Sequence, residues 1–124
     1  MRKTLFLSMA LLLAGAVSLH AQALKGTSWK LYIDELQDTL TLHIKSDTSF
    51  VTDGSGAVVV RSICTIDKDT ITLKDIDGKY VCAGQPGVYT YAFIADTLTL
   101  TMVNDPCDNR VNSINGARWT RAKD

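Results

Sequence analysis

Val88-Tyr89-Thr90-Tyr91-Ala92-Phe93-Ile94 and Thr97-Leu98-Thr99-Leu100-Thr101-Met102 flank the dipeptide Ala95-Asp96. Large apolar residues alternate with small or polar ones on both sides. Successive side chains of an extended chain point to opposite faces, so the pattern predicts two antiparallel strands joined by a tight turn. A turn at Ala95-Asp96 puts Phe93 opposite Leu98 and Tyr91 opposite Leu100. Moving it back one residue puts Tyr91 opposite Leu98 and keeps the same face apolar. Tyr89, Tyr91, Phe93, Leu98, Leu100 and Met102 are therefore expected on one buried sheet face.

The same reading extends in both directions. Trp29, Leu31 and Ile33 alternate with Lys30 and Tyr32, and Leu40, Leu42 and Ile44 with Thr39, Thr41 and His43. Phe50 lies in a third run after a Ser46-Asp47 turn. Placing Phe50 opposite Ile44 and Thr52 opposite Leu42 gathers the larger apolar residues on one face. Ala57 to Ile66 is a longer run, and Asp67-Lys68-Asp69 turns the chain into Thr70 to Ile76. Ile114 to Arg121 closes the chain. About eight short strands separated by Asp, Gly, Asn and Ser predict an all-β, antiparallel barrel or sandwich with one buried face per strand.

Composition agrees. Of the 13 acidic residues, 12 are Asp and one is Glu, and Asp favours turns where Glu favours helices. Met1-Arg2-Lys3 precedes an apolar run of about 15 residues that ends near Val17, followed by Ala21-Gln22-Ala23. A charged start, an apolar middle and an A-x-A end form a secretory signal-peptide pattern, and the run falls short of the roughly 20 residues that span a bilayer. Residues 1–23 are thus expected to be removed, leaving 24–124 as a single domain, exported to the periplasm or the medium with no membrane span. Without Arg2 and Lys3, 11 basic residues face 13 acidic ones. A net charge of −2 offers no field for nucleic acid or anionic lipid.

Cys64, Cys82 and Cys107 form an odd set. Carrying the 88–102 hairpin register backwards puts Cys82 opposite about residues 107 to 109, beside Cys107, within bridging reach. A Cys82–Cys107 disulfide is the expectation. Cys64 falls opposite Thr72 across the Asp67–Asp69 turn and reads as a buried small apolar residue.

Gly26-Thr27-Ser28-Trp29-Lys30-Leu31, Asp96-Thr97-Leu98-Thr99-Leu100-Thr101 leading to Asn104-Asp105-Pro106-Cys107-Asp108-Asn109-Arg110, and Gly116-Ala117-Arg118-Trp119-Thr120-Arg121 together resemble the small secreted bacterial lipocalin-like proteins of the calycin group. The resemblance implies an up-and-down β-barrel with an early Trp closing one end and a late Arg across it. Trp29 matches the Trp, and Arg118 or Arg121 the Arg. Two residues separate Gly26 from Trp29, where that group carries one. The opening Gly-Thr-Ser-Trp-Lys-Leu is also similar to the secreted META/HslJ-type β-domains.

No constellation marks catalysis. His43, mid-strand among Thr39 and Thr41, reads as outward-facing and without the partners of a metal site or Ser-His-Asp triad. The carboxylates fall mostly in turns. Asp75-Ile76-Asp77-Gly78 lacks the later Glu of a calcium loop, and Asp53-Gly54-Ser55-Gly56 lacks the Lys and helix of a phosphate loop. Asp105 to Arg110, the densest polar cluster, reads as a turn pinned by the disulfide with Arg110 on a nearby carboxylate. Neither enzyme activity, metal nor cofactor is expected. The expected partner is a small apolar or amphipathic molecule inside the barrel, against Trp29, Leu42, Ile44, Phe50, Tyr89, Tyr91, Phe93, Leu98 and Leu100. In that reading one or two Tyr hydroxyls orient the ligand. The alternative is another protein, met by an interaction or inhibitor module whose core is filled.

Overall fold

The computed structural model describes residues 24–123. The expected signal peptide, residues 1–23, lies outside them. Eight strands follow in order: β1 (Thr27–Ile33), β2 (Asp38–Ile44), β3 (Thr48–Thr52), β4 (Val58–Asp67), β5 (Thr70–Asp77), β6 (Gly87–Ile94), β7 (Thr97–Asn104) and β8 (Arg118–Ala122). One short helix, α1 (Asp108–Ile114), precedes β8. Every strand pairs antiparallel with its neighbours in sequence, and β1 pairs with β8, so the sheet closes on itself. The architecture is an all-β, up-and-down, eight-stranded barrel. Closure leaves no free sheet edge.

The two ends of the barrel differ. At one end the connections are short: Lys45–Asp47, Lys68-Asp69 and Ala95-Asp96. Lys68 and Ala95 both have φ 55°, the left-handed backbone of a tight hairpin turn whose twist matches that of the strands. Leu24 is fully buried, and its carbonyl accepts the Thr27 hydroxyl at 2.6 Å. Trp29 and Phe93 stack with centroids 5.6 Å apart, and Tyr91 meets Phe93 edge-on at the same separation. With Ile44, Ile71 and Leu98 they form the closed, filled half of the barrel. The other end carries the longer connections at residues 34–37, 53–57, 78–86 and 105–117.

The β6–β7 register is the expected one: Phe93 faces Leu98, and Tyr91 faces Leu100. Met102 lies opposite Tyr89 but is exposed where Tyr89 is fully buried, beyond Leu100, the last buried residue of β7. Two other registers differ by one residue. His43, not Ile44, faces Phe50, since the β2–β3 turn is closed by Lys45 N–H donating to Thr48 O at 2.8 Å. A one-residue slip exchanges the faces, so Phe50 stands outside the barrel with His43 and is not an interior residue. Cys64 faces Leu73 rather than Thr72, because the turn residues are Lys68 and Asp69. Ile114, expected to start the last strand, instead ends α1.

Candidate functional site

The half of the barrel opposite Trp29 is not filled. A cavity of about 530 Å³ lies there, lined by side chains of β1 to β5, β7, β8 and α1 and of the connections beside them. Its walls are aliphatic: Leu40, Leu42, Val51, Val59, Leu73 and Leu100. Glu35, Leu36, Lys79 and Tyr80 line its rim and are exposed to solvent. Trp119, 2% exposed, also lines it from β8.

One wall is polar, for a reason visible in the strand alternation. On β5 the inward positions are Ile71, Leu73 and Asp75. Asp75 is therefore buried rather than a surface turn residue. Its Oδ1 accepts the Ser62 hydroxyl at 2.7 Å, and its Oδ2 accepts the Cys82 N–H at 2.9 Å. Arg110 approaches the same Oδ2 with Nη1 at 3.2 Å. Arg110 projects from α1 and also grips Asp105, Nε donating to Oδ2 at 2.6 Å and Nη2 to Oδ1 at 2.8 Å. Nη2 further donates to the Gln85 carbonyl at 2.7 Å. Asp105 accepts the Tyr89 hydroxyl at 2.5 Å and the Cys107 N–H at 2.9 Å. Gly87 makes room: a Cβ there would overlap the Asp105 carboxylate and Arg110 Nε.

The electrostatics follow from this geometry. Burial alone would raise the Asp105 pKa, but hydrogen bonds from Arg110, Tyr89 and the Cys107 amide outweigh it, and the group sits below its usual 3.8. The Asp105 hydrogen bonds push the Arg110 guanidinium the other way, above its usual value. Burial, and then the Asp105 carboxylate, push the Tyr89 phenol well above 10. Ser62, Asp75, Arg110, Asp105 and Tyr89 thus form one connected, charged network between the cavity wall and the barrel core.

Cys82 and Cys107 face each other at disulfide distance, Cα atoms 6.3 Å apart. Cys107 is also the N-cap of α1, its Sγ accepting the Arg110 N–H at 3.4 Å. The pair ties the 78–86 connection to the segment that carries Arg110. Cys64 is buried and unbridged. Burial raises its thiol pKa to about 11, which suits packing rather than nucleophilic chemistry.

Of the interior residues expected from sequence, the cavity uses Leu42 and Leu100. Trp29, Ile44, Tyr89, Tyr91 and Leu98 are buried in the packed core, with Phe93 partly buried against it. The Tyr hydroxyls are committed within the protein, Tyr89 to Asp105 and Tyr91 to the Lys68 carbonyl at 2.6 Å. Neither Tyr89 nor Tyr91 is among the residues that line the cavity. Arg121 lies over Trp29, its guanidinium carbon 5.3 Å from the ring centroid; Arg118, exposed and opposite Thr99, does not. His43 is less open than its neighbours suggested. Its Nδ1 is 3.0 Å from the Ser28 hydroxyl and its Nε2 is 3.0 Å from the Thr52 hydroxyl, with the ring stacked on Phe50.

Among the described residues no three His, Cys, Asp or Glu side chains group as a metal site would. Nor is any helix among them long and apolar enough to cross a membrane. Set against known protein families, characterised proteins and solved structures, the chain finds no match.

Proposed function

We propose that this protein is an exported, lipocalin-like carrier that holds a small amphipathic molecule without catalysing a reaction on it. The cavity carries this reading. About 530 Å³ of aliphatic-walled space with one polar wall falls in the 300 to 1,000 Å³ range of small-molecule sites, which are mostly apolar with a few fixed polar groups. An interaction or inhibitor module needs no such space. Export is supported by the Met1–Ala23 pattern and by a cysteine pair set at bridging distance, which oxidising compartments maintain. Trp29 at the closed end, with Arg121 across it, supports the calycin likeness over the META/HslJ type.

The test is direct. Mature protein is titrated with 1-aminoanthracene, a neutral dye whose fluorescence rises in apolar surroundings, and is examined by native mass spectrometry as purified. Saturable binding of one dye per chain, or a co-purified small molecule displaced by it, is expected. A protein that binds neither dye nor endogenous molecule is not a carrier.

A further inference from the structure

Among the described residues Trp119 Nε1 is a buried side-chain nitrogen that makes no hydrogen bond, whereas Arg110 Nη1 lies in an ion pair with Asp75 Oδ2 at 3.2 Å. Both are donors, and both belong to residues lining the cavity. A buried donor without an acceptor bears its full desolvation cost, so the Trp119 indole N–H is short of an acceptor. The acceptors already present are engaged. Asp75 receives Ser62, Cys82 N–H and Arg110, and Asp105 receives Arg110 twice, Tyr89 and Cys107 N–H. A cationic headgroup would have to displace one of these donors.

Charge narrows the choice further. Two carboxylates share one guanidinium, leaving the buried network with a net negative charge. Glu35 and Lys79 at the exposed rim cancel each other. An anionic headgroup brought into the cavity would therefore meet like charge in a medium that screens it weakly. The group that fits is an acceptor without charge.

We infer that the cavity selects an apolar molecule bearing a neutral hydrogen-bond acceptor, a ketone, ester or amide carbonyl, held by the Trp119 indole N–H. The inference rests on the carrier reading above and names the class of molecule carried.

Four ten-carbon probes separate the possibilities by displacement of 1-aminoanthracene: 2-decanone, 1-decene, decanoate and decylammonium. The ketone is expected to bind about tenfold more tightly than the alkene, the increment of one satisfied hydrogen bond, and more tightly than either ion. In Trp119→Phe, which keeps an aromatic ring and removes the N–H, the ketone-to-alkene ratio is expected to shrink toward one. The comparison in the unaltered protein stands whether or not that variant folds. Equal affinity for ketone and alkene, or tightest binding by decylammonium or decanoate, overturns the inference and leaves the carrier standing. Failure of the dye and all four probes to bind removes the carrier and the inference together.

Discussion

Asp105 holds Arg110 by two hydrogen bonds, 2.6 Å from Nε and 2.8 Å from Nη2, with the Asp105 side chain fully buried. The pair closes a strap of only a few residues, yet it joins α1 to Tyr89 in the barrel core and to Asp75 on the cavity wall. It decides where the polar wall of the cavity stands.

Removing one member of a buried pair leaves the other uncompensated. Asp105→Asn is expected to destabilise the fold by about 3 kcal/mol, toward the low end for such pairs because Asp75 still faces Arg110. The pH dependence has a definite sign. The folded state holds Asp105 below its ordinary 3.8, so the stabilisation is complete above that value and is lost as pH falls through the folded-state pKa. Urea unfolding between pH 3 and 7 should show an acid-side loss that is shallower in the Asn variant. An unchanged acid limb would exclude Asp105 as its source.

Cys82 and Cys107 close a loop that the network alone would leave to pivot. A bridge over a sequence separation of 25 residues is expected to contribute about 3 kcal/mol by restricting the unfolded chain. Thiol titration under denaturing, non-reducing conditions should find one thiol, Cys64. The native protein should give almost none at neutral pH, because Cys64 is buried and its pKa is raised to about 11. Three reactive thiols in the denatured protein would refute the bridge.

Ala95 occupies the left-handed region, φ 55°, in the β6–β7 turn. A side chain costs about 1 kcal/mol there, and glycine avoids the clash. Ala95→Gly is therefore expected to stabilise by about 0.5 kcal/mol after its greater unfolded-state freedom is counted. Its hairpin partners Phe93 and Leu98 should keep their register, which the cross-strand NMR contacts would report. A loss of stability would mean that the turn relaxes to another conformation.

The barrel was legible in the sequence wherever both strands of a pair carried clear alternation and the turn was two residues long, as in residues 88–102. Phe50 shows where the reading fails. Hydrophobicity argued for the inside, but stacking on His43, with centroids 4.5 Å apart, accommodates the ring outside, and the turn hydrogen bond at Lys45 fixes the register. Helix α1 has seven residues, too few for a 3.6-residue period to stand out. The polar wall was half visible. Asp105 and Arg110 lie in one dense cluster, whereas Asp75 opens the turn-like stretch Asp75-Ile76-Asp77-Gly78, although counting by twos from Ile71 and Leu73 places it inside. In the sequence Trp119 bears only on the family resemblance. The cavity itself was not legible, because unfilled volume depends on how eight strands close and not on any one of them.

Filling that volume tests whether ligand and cavity coincide. Val51 on β3 and Leu73 on β5 both line the cavity. Val51→Phe with Leu73→Phe adds apolar volume where there is space, so the overpacking cost of about 1–3 kcal/mol seen in dense cores should be largely avoided. The double variant is expected to melt within a few degrees of the parent. Dye affinity should fall by at least about tenfold, a loss of about 1.4 kcal/mol. A ligand at one hundred times its dissociation constant stabilises by about 2.7 kcal/mol, so excess 2-decanone should raise the parent's melting temperature and leave the variant's nearly unmoved. Undiminished dye binding by a folded variant would place the bound molecule elsewhere on the protein, among exposed apolar side chains such as Tyr32, Ile76 or Ile94.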